Sequence, residues 1–329
     1  MTLEELEPMR YVVIAAAAIV LNLPTQPPVR PPEGQNSTFK VRRFNQNPII
    51  RPEMLPGRDG DNINGPSLIR APEWLPNRLG RYYLYFAHHA GTYIRLAYAD
   101  DLGGPWTVHK PGTLRNEQTV CGKSHIASPD VHVDDAAREI RMYFHCFANG
   151  GNDQVTLVAT SKDGITFTSG SQPLGPSYFR GFRWKGTHYA LAMPGLFLRS
   201  GTGLSDFERG QTLFNEHMRH SAVKLDGDVL SVFYTIVGDV PERILLSRIR
   251  LAADWQQWKE SAPEVILEPE TEYEGASIAL KPSVRGLALG RLRELRDPAI
   301  FEEAGRTYLL YTVAGESGIA IGELVSQQH

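Results

Sequence analysis

Only two cysteines occur in 329 residues, Cys121 and Cys146, so a scaffold held by many disulfides is excluded, and their spacing fits no zinc motif. The pair leaves two readings open: a disulfide in an oxidising compartment, or two buried thiols behaving as small hydrophobes. Excess charge is missing too. Lys and Arg number 34 against 37 Asp and Glu, and the net charge of −3 offers no basic field to a phosphate backbone. No nucleic acid partner is expected. No apolar run reaches the roughly 20 residues that a spanning helix needs. The longest goes from Tyr11 to Leu23, follows Arg10 and precedes the proline-rich run Pro24 to Pro32. Its length suits a signal peptide over residues 1–26, with 27–37 as an extended linker, which makes the chain secreted or periplasmic with no membrane span once mature. A buried first strand is the alternative. Glycine-rich phosphate loops are absent, so no organic cofactor is expected, and helical periodicity is confined to Leu251 to Lys259.

What is present is a repeated phrase. Arg296-Asp-Pro-Ala-Ile leads to Thr307-Tyr-Leu-Leu-Tyr-Thr, Gly65-Pro-Ser-Leu-Ile to Tyr82-Tyr-Leu-Tyr-Phe, and His220-Ser-Ala-Val to Val229-Leu-Ser-Val-Phe-Tyr. Looser copies begin at Ser128-Pro-Asp-Val and Tyr178-Phe-Arg-Gly-Phe. Five copies roughly 40 to 80 residues apart match the spacing of propeller blades. Several copies continue into a further strand, an acidic Gly turn and an aromatic, as in Ala99 to Trp106 and Ser161 to Phe167. The pattern predicts an all-β, five-bladed β-propeller over 38–329. The last copy holds three strands only, so the alternating segment Thr38 to Phe44 is expected to complete that blade and remove two sheet edges.

In a propeller the inner strand of each blade brings its leading polar residue to the channel mouth. The residues so placed are Asp61, Asn62 and Asn64 in blade one, Ser128 and Asp130 in blade two, Arg180 in blade three, Arg219 and His220 in blade four, and Arg296 and Asp297 in blade five. Adjacent residues of a strand point to opposite faces, so at most one of His88 and His89 reaches the channel. His125 lies just before the inner strand of blade two. Tyr178, Phe179, Trp184 and Trp74 read as packing residues rather than sugar platforms.

Tyr82-Tyr-Leu-Tyr-Phe followed by Ile94-Arg-Leu-Ala-Tyr-Ala-Asp-Asp-Leu-Gly-Gly-Pro-Trp106 resembles a blade of the five-bladed propeller glycosidases, the superfamily of family-43 arabinanases and xylosidases and of levansucrase-like enzymes. Arg296-Asp-Pro-Ala-Ile resembles their Asp-Pro opening. The resemblance covers residues 45 to 325 and implies a glycoside hydrolase acting on oligosaccharide or polysaccharide with inversion, by three carboxylates: a base, an acid, and an Asp that orients the substrate. The alternative is a non-catalytic carbohydrate-binding propeller. At the family's base position this chain has Gly65, and at its orienting position Ser128. The nearby Asp61 is therefore the candidate base, and Asp130 the candidate orienting residue, because a shift of two along a strand keeps the face. Glu274, in Tyr-Glu-Gly, and Asp297, in Asp-Pro, are the remaining catalytic candidates. Arg180, His220, Arg296, His89 and His125 are candidates for holding substrate. By the same resemblance, His220 is the residue that would hold a central cation, calcium.

Overall fold

The computed structural model describes residues 39–122, 125–147, 151 and 153–327, all within the unit that begins at Pro31. The expected signal peptide and linker lie outside the described residues. Among these residues no helix is long and apolar enough to cross a membrane.

The described residues form five antiparallel sheets, one for each repeat. The inner strands are Asn64–Arg70, Ala127–Asp134, Arg180–Trp184, Met218–Asp226 and Arg296–Glu303. Each pairs with the strand that follows it, and neighbouring inner strands pack side by side around one axis. Between the second and third, the Gly181 amide donates to the Asp130 carboxylate at 2.7 Å.

The second strand of each blade explains the aromatic repeats. In Tyr82–Ala87 every residue is buried, and the period of two divides them. Tyr83, Tyr85 and Ala87 enter the apolar cluster shared with blade two, while Tyr82, Leu84 and Phe86 enter the one shared with blade five. Five clusters of this kind occupy the five gaps between blades. A strand covered on both faces needs an unbroken apolar run, which is how these segments read. The span Leu251 to Lys259 holds only a single 3-10 turn, Trp255–Gln257.

Phe39–Arg43 pairs antiparallel with Ile319–Ser326 and closes the fifth blade, as expected. A buried carboxylate holds this strand in place. Glu274 receives Arg43 Nε at 2.8 Å, the Tyr311 hydroxyl at 2.9 Å, and the amides of Glu270 and Thr271 at 2.9 and 3.0 Å. Glu274→Gln leaves Arg43 facing a neutral amide, and we expect a loss of roughly 3 kcal/mol in urea unfolding, with ligand binding at the propeller mouth unchanged.

Cys121 and Cys146 form a disulfide with Cα atoms 5.7 Å apart, which decides between the two readings of the pair. It ties the segment ahead of blade two's inner strand to the second strand of that blade.

Candidate active site at the propeller mouth

Every blade carries the same backbone irregularity at the start of its inner strand. Gly65, Ser128, Tyr178, His220 and Asp297 have φ of 59, 51, 70, 48 and 46°. In four blades the pairing with the second strand slips at this point, between Asn64 and Ser67, Ala127 and Asp130, Arg219 and Ala222, and Arg296 and Ala299. Such a bulge takes one side chain out of the in-and-out alternation and re-aims it. A left-handed backbone costs a non-glycine residue about 1–2 kcal/mol. Four such non-glycine residues therefore hold a strained backbone that the surrounding structure must maintain.

Ser128, Tyr178, His220 and Asp297 line one cavity of about 800 Å³, together with His89 and His145. In blade one the left-handed residue is a glycine and contributes no side chain, although Asn64 just before it lines the cavity. A Cβ at position 65 would stand 2.9 Å from the Ser128 Cα, so the close approach of blades one and two, as well as the positive φ, requires glycine there. The position at which the resemblance led us to expect a base therefore has no room for a side chain.

Asp297 is the carboxyl at the centre. It is 1% exposed and accepts the Tyr178 hydroxyl at 2.5 Å, with the Thr312 hydroxyl at 3.4 Å and His220 Nε2 at 3.8 Å. Burial and the nearby Glu316 charge push it up to about 6, against the opposing pull of the Tyr178 hydrogen bond, Arg296 and His89. Burial also acts to raise Glu316, but the bond from His89 Nδ1 at 3.3 Å and the charges of His89 and Arg296 outweigh it and bring that carboxyl down to about 2. Burial would lower His89, yet its bond to Glu316 leaves it raised. His220 and His145 are held well below their ordinary value by burial first and by neighbouring cations second, so both rings are neutral.

Under the cavity floor lies a charged cage. Arg296 reaches Glu294 at 2.6 Å, Glu316 at 3.2 Å and Glu242 at 3.3 Å, and Glu242 also accepts Arg219 Nε at 2.9 Å. Arg296, expected to hold substrate, is consumed by these three carboxylates and does not line the cavity. Arg180 is likewise turned inward. Its Nε donates to the Ser221 carbonyl at 2.8 Å, an Nη to the Pro129 carbonyl at 3.3 Å, and its guanidinium lies over the Tyr178 ring. It links blades two, three and four.

Three of the four carboxylates expected to meet are elsewhere. Asp61 sits in an exposed loop, paired with Arg58 at 3.0 Å, and faces a separate cleft with Asp59, His88 and Tyr93. Asp130 is bonded to His132 at 2.7 Å and to the Gly181 amide, turned to the next blade rather than to the mouth. The rule that two residues along a strand share a face fails there because the bulge at Ser128 lies between them. Glu274 is the latch of the closing strand. Of the two adjacent histidines, His89 reaches the cavity and His88 the other cleft. His125 stands behind the lining, its ring against His145 and Phe147 and its Nε2 3.3 Å from Gln154. Phe179, Trp184 and Trp74 pack or bridge blades as expected, whereas Tyr178 is a site residue.

Aligning the five copies on their left-handed residues identifies Tyr178, two residues before Arg180, as the blade-three counterpart of His220 and Asp297. His145, Arg209 and Arg285 also line the cavity, and no local motif marks them. The cation expected at His220 does not fit. Its ring lies against Tyr178 at 5.4 Å and beside the Thr235 hydroxyl at 3.4 Å, with the guanidinium cations of Arg219 and Arg296 close by. Among the described residues no group of three or more His, Cys, Asp or Glu is arranged to hold a metal ion.

No protein-family model matches the chain. It is 39% identical over 316 residues to uncharacterized protein R118 of Acanthamoeba polyphaga mimivirus, covering 85% of this chain and 89% of that one. Among solved structures it is similar to a thermostable family-43 glycoside hydrolase (13% identity, TM-score 0.56, 82% of this chain and 93% of the other). A family-43 β-xylosidase/α-arabinofuranosidase from a compost microbial metagenome gives 13% identity and a TM-score of 0.57 over 88% of this chain and 96% of its own. An exo-1,5-α-L-arabinanase from a bovine ruminal metagenomic library gives 13% and 0.56 over 82% and 97%. The chain thus belongs to the family of the mimivirus protein R118, and its fold is the five-bladed propeller of the family-43 glycoside hydrolases.

Proposed function

We propose that the chain cleaves a glycosidic bond at the mouth of the propeller, with Asp297 as the proton donor. The observation that carries this reading is a buried carboxyl, raised to about 6, on a strained bulge in a cavity large enough for a sugar. Tyr178 positions the carboxyl by donating to one of its oxygens, and the neutral His220 beside it can exchange hydrogen bonds with sugar hydroxyls. Inversion requires a second carboxylate about 6.5 to 9.5 Å away to activate water. With Gly65 and Ser128 at the family's positions, Asp153 is the other carboxylate among the lining residues and takes the role of base in this reading. The substrate class is oligosaccharide or polysaccharide.

The test is a panel of oligosaccharides screened for released reducing ends. Because the protonated form of Asp297 acts, turnover should fall as pH rises through about 6. A rate that instead rises through that pH would make Asp297 a base and overturn the assignment. The absence of side-chain carboxylates at positions 65 and 128 favours a second reading, a carbohydrate-binding propeller without catalysis. Binding without cleavage across the panel would select it. We also propose export to an oxidising compartment, which the disulfide supports. Mass spectrometry of the mature chain would show loss of residues up to about Gln26, and an intact N-terminus would count against it.

A further inference from the structure

The carboxylates around the cavity are spent inward. Glu242 is held by Arg219 and Arg296, Glu316 by Arg296 and His89, Glu294 by Arg296, and Asp297 takes the Tyr178 hydroxyl. At the rim the balance is reversed. Arg209 and Arg285 both line the same cavity and both are exposed, and among the described residues neither has a carboxylate within ion-pair distance. Arg285 gives one hydrogen bond, to the Glu216 carbonyl at 3.1 Å. Among the described residues that line the cavity, Asp153 is the one exposed carboxylate against these two exposed guanidinium groups.

Deeper in, two polar side chains lack partners. His145 is 7% exposed with a buried Nδ1 that bonds to nothing, and Asn64 is 3% exposed with an unpartnered Oδ1. Both line the cavity. A buried polar group without a partner is costly, and such groups in a binding cavity point to a ligand that satisfies them after a small adjustment.

We propose that this mouth recognises an oxyanion, held by Arg209 and Arg285 next to the sugar subsite formed by His145, Tyr178, His220 and Asp297. A guanidinium fork matches the planar carboxylate and the tetrahedral phosphate or sulfate, and it is worth most where no protein carboxylate competes for it. The oxyanion is either a charged group on the sugar chain or inorganic phosphate bound beside a neutral sugar. The inference rests on the carbohydrate reading above and narrows its substrate class to acidic glycans or to sugar plus phosphate.

The experiment is calorimetric titration of the full chain with a matched pair of oligosaccharides, one neutral and one bearing a uronate, and separately with inorganic phosphate. The same titrations are made on Arg209→Ala/Arg285→Ala, whose exposed sites leave the fold intact. In wild type, the uronate-bearing sugar or phosphate should bind about tenfold or more tightly than in the double variant, and the neutral sugar should bind equally to both proteins. The advantage should shrink as salt is added. A uronate preference identifies the group on the sugar; phosphate binding without that preference identifies the free ion. Equal affinity for the neutral and acidic sugars together with no phosphate binding, or an advantage that survives the double variant, overturns the proposal. Failure of the cleavage reading is separable: an acidic sugar bound tightly but never cleaved removes the hydrolase and keeps the oxyanion site, whereas a neutral sugar cleaved with no dependence on either arginine does the reverse.

Discussion

Asp297→Asn is expected to reduce turnover on a cleaved oligosaccharide by about 10² to 10⁴, with the dissociation constant for that sugar within a few-fold of wild type. The amide keeps the volume of the carboxyl, and its carbonyl oxygen can still accept the Tyr178 hydroxyl that lies 2.5 Å from Asp297 Oδ1. What it cannot do is release a proton to a leaving oxygen. The fall in rate above about pH 6 should vanish in the residual activity, because the group that titrates there has gone. Tyr178→Phe should have a smaller effect of a different kind. It removes a bond that holds the carboxyl down, so the pH limb should move upward while the plateau stays near wild type. Full turnover with an unmoved pH limb in Asp297→Asn would show that the acid lies elsewhere in the cavity.

Arg296→Met should be the most damaging single change to stability, by about 3–5 kcal/mol in chemical unfolding. It leaves Glu242, Glu294 and Glu316, all at most 4% exposed, with their central counter-charge removed. The sign of the pH dependence follows from the depressed Glu316. A carboxyl whose folded value lies below its ordinary 4.5 adds stability above that pH, and the gain is lost as pH falls toward about 2. Without Arg296, Glu294 and Glu316 lose the charge that favours their ionised forms and bind protons more readily, so the deficit of the variant should be larger at about pH 7 than at about pH 4. Arg296 is thereby separated from a residue that merely holds substrate. Such a residue would raise KM and leave the unfolding curve where it was.

The five blades were legible because their determinants are local. A strand buried on both faces must be apolar at every position, so Tyr82 to Phe86 and Val229 to Tyr234 announce themselves, and the three-stranded last repeat calls for a strand such as Phe39–Arg43. The axial positions of four blades were also legible, since Gly65-Pro, Ser128-Pro, His220-Ser and Asp297-Pro stand at one place in the repeat. The site was not. The bulge at Ser128 breaks the period of two on which the placing of Asp130 relied, and in blade three the left-handed Tyr178 stands two residues ahead of the strand Arg180–Trp184, so the strand's first residue was read in its place. Whether a charge faces the cavity or the cage beneath it depends on partners far away in the chain. Glu274 is claimed by Arg43 and Arg296 by Glu242, Glu294 and Glu316. Arg209 and Arg285 come from an outer strand and from the segment before the fifth blade, and they meet only once the ring is closed. Burial patterns repeat along the chain and can be read from it, whereas the pairing of charges is settled across the axis, where sequence distance carries no information.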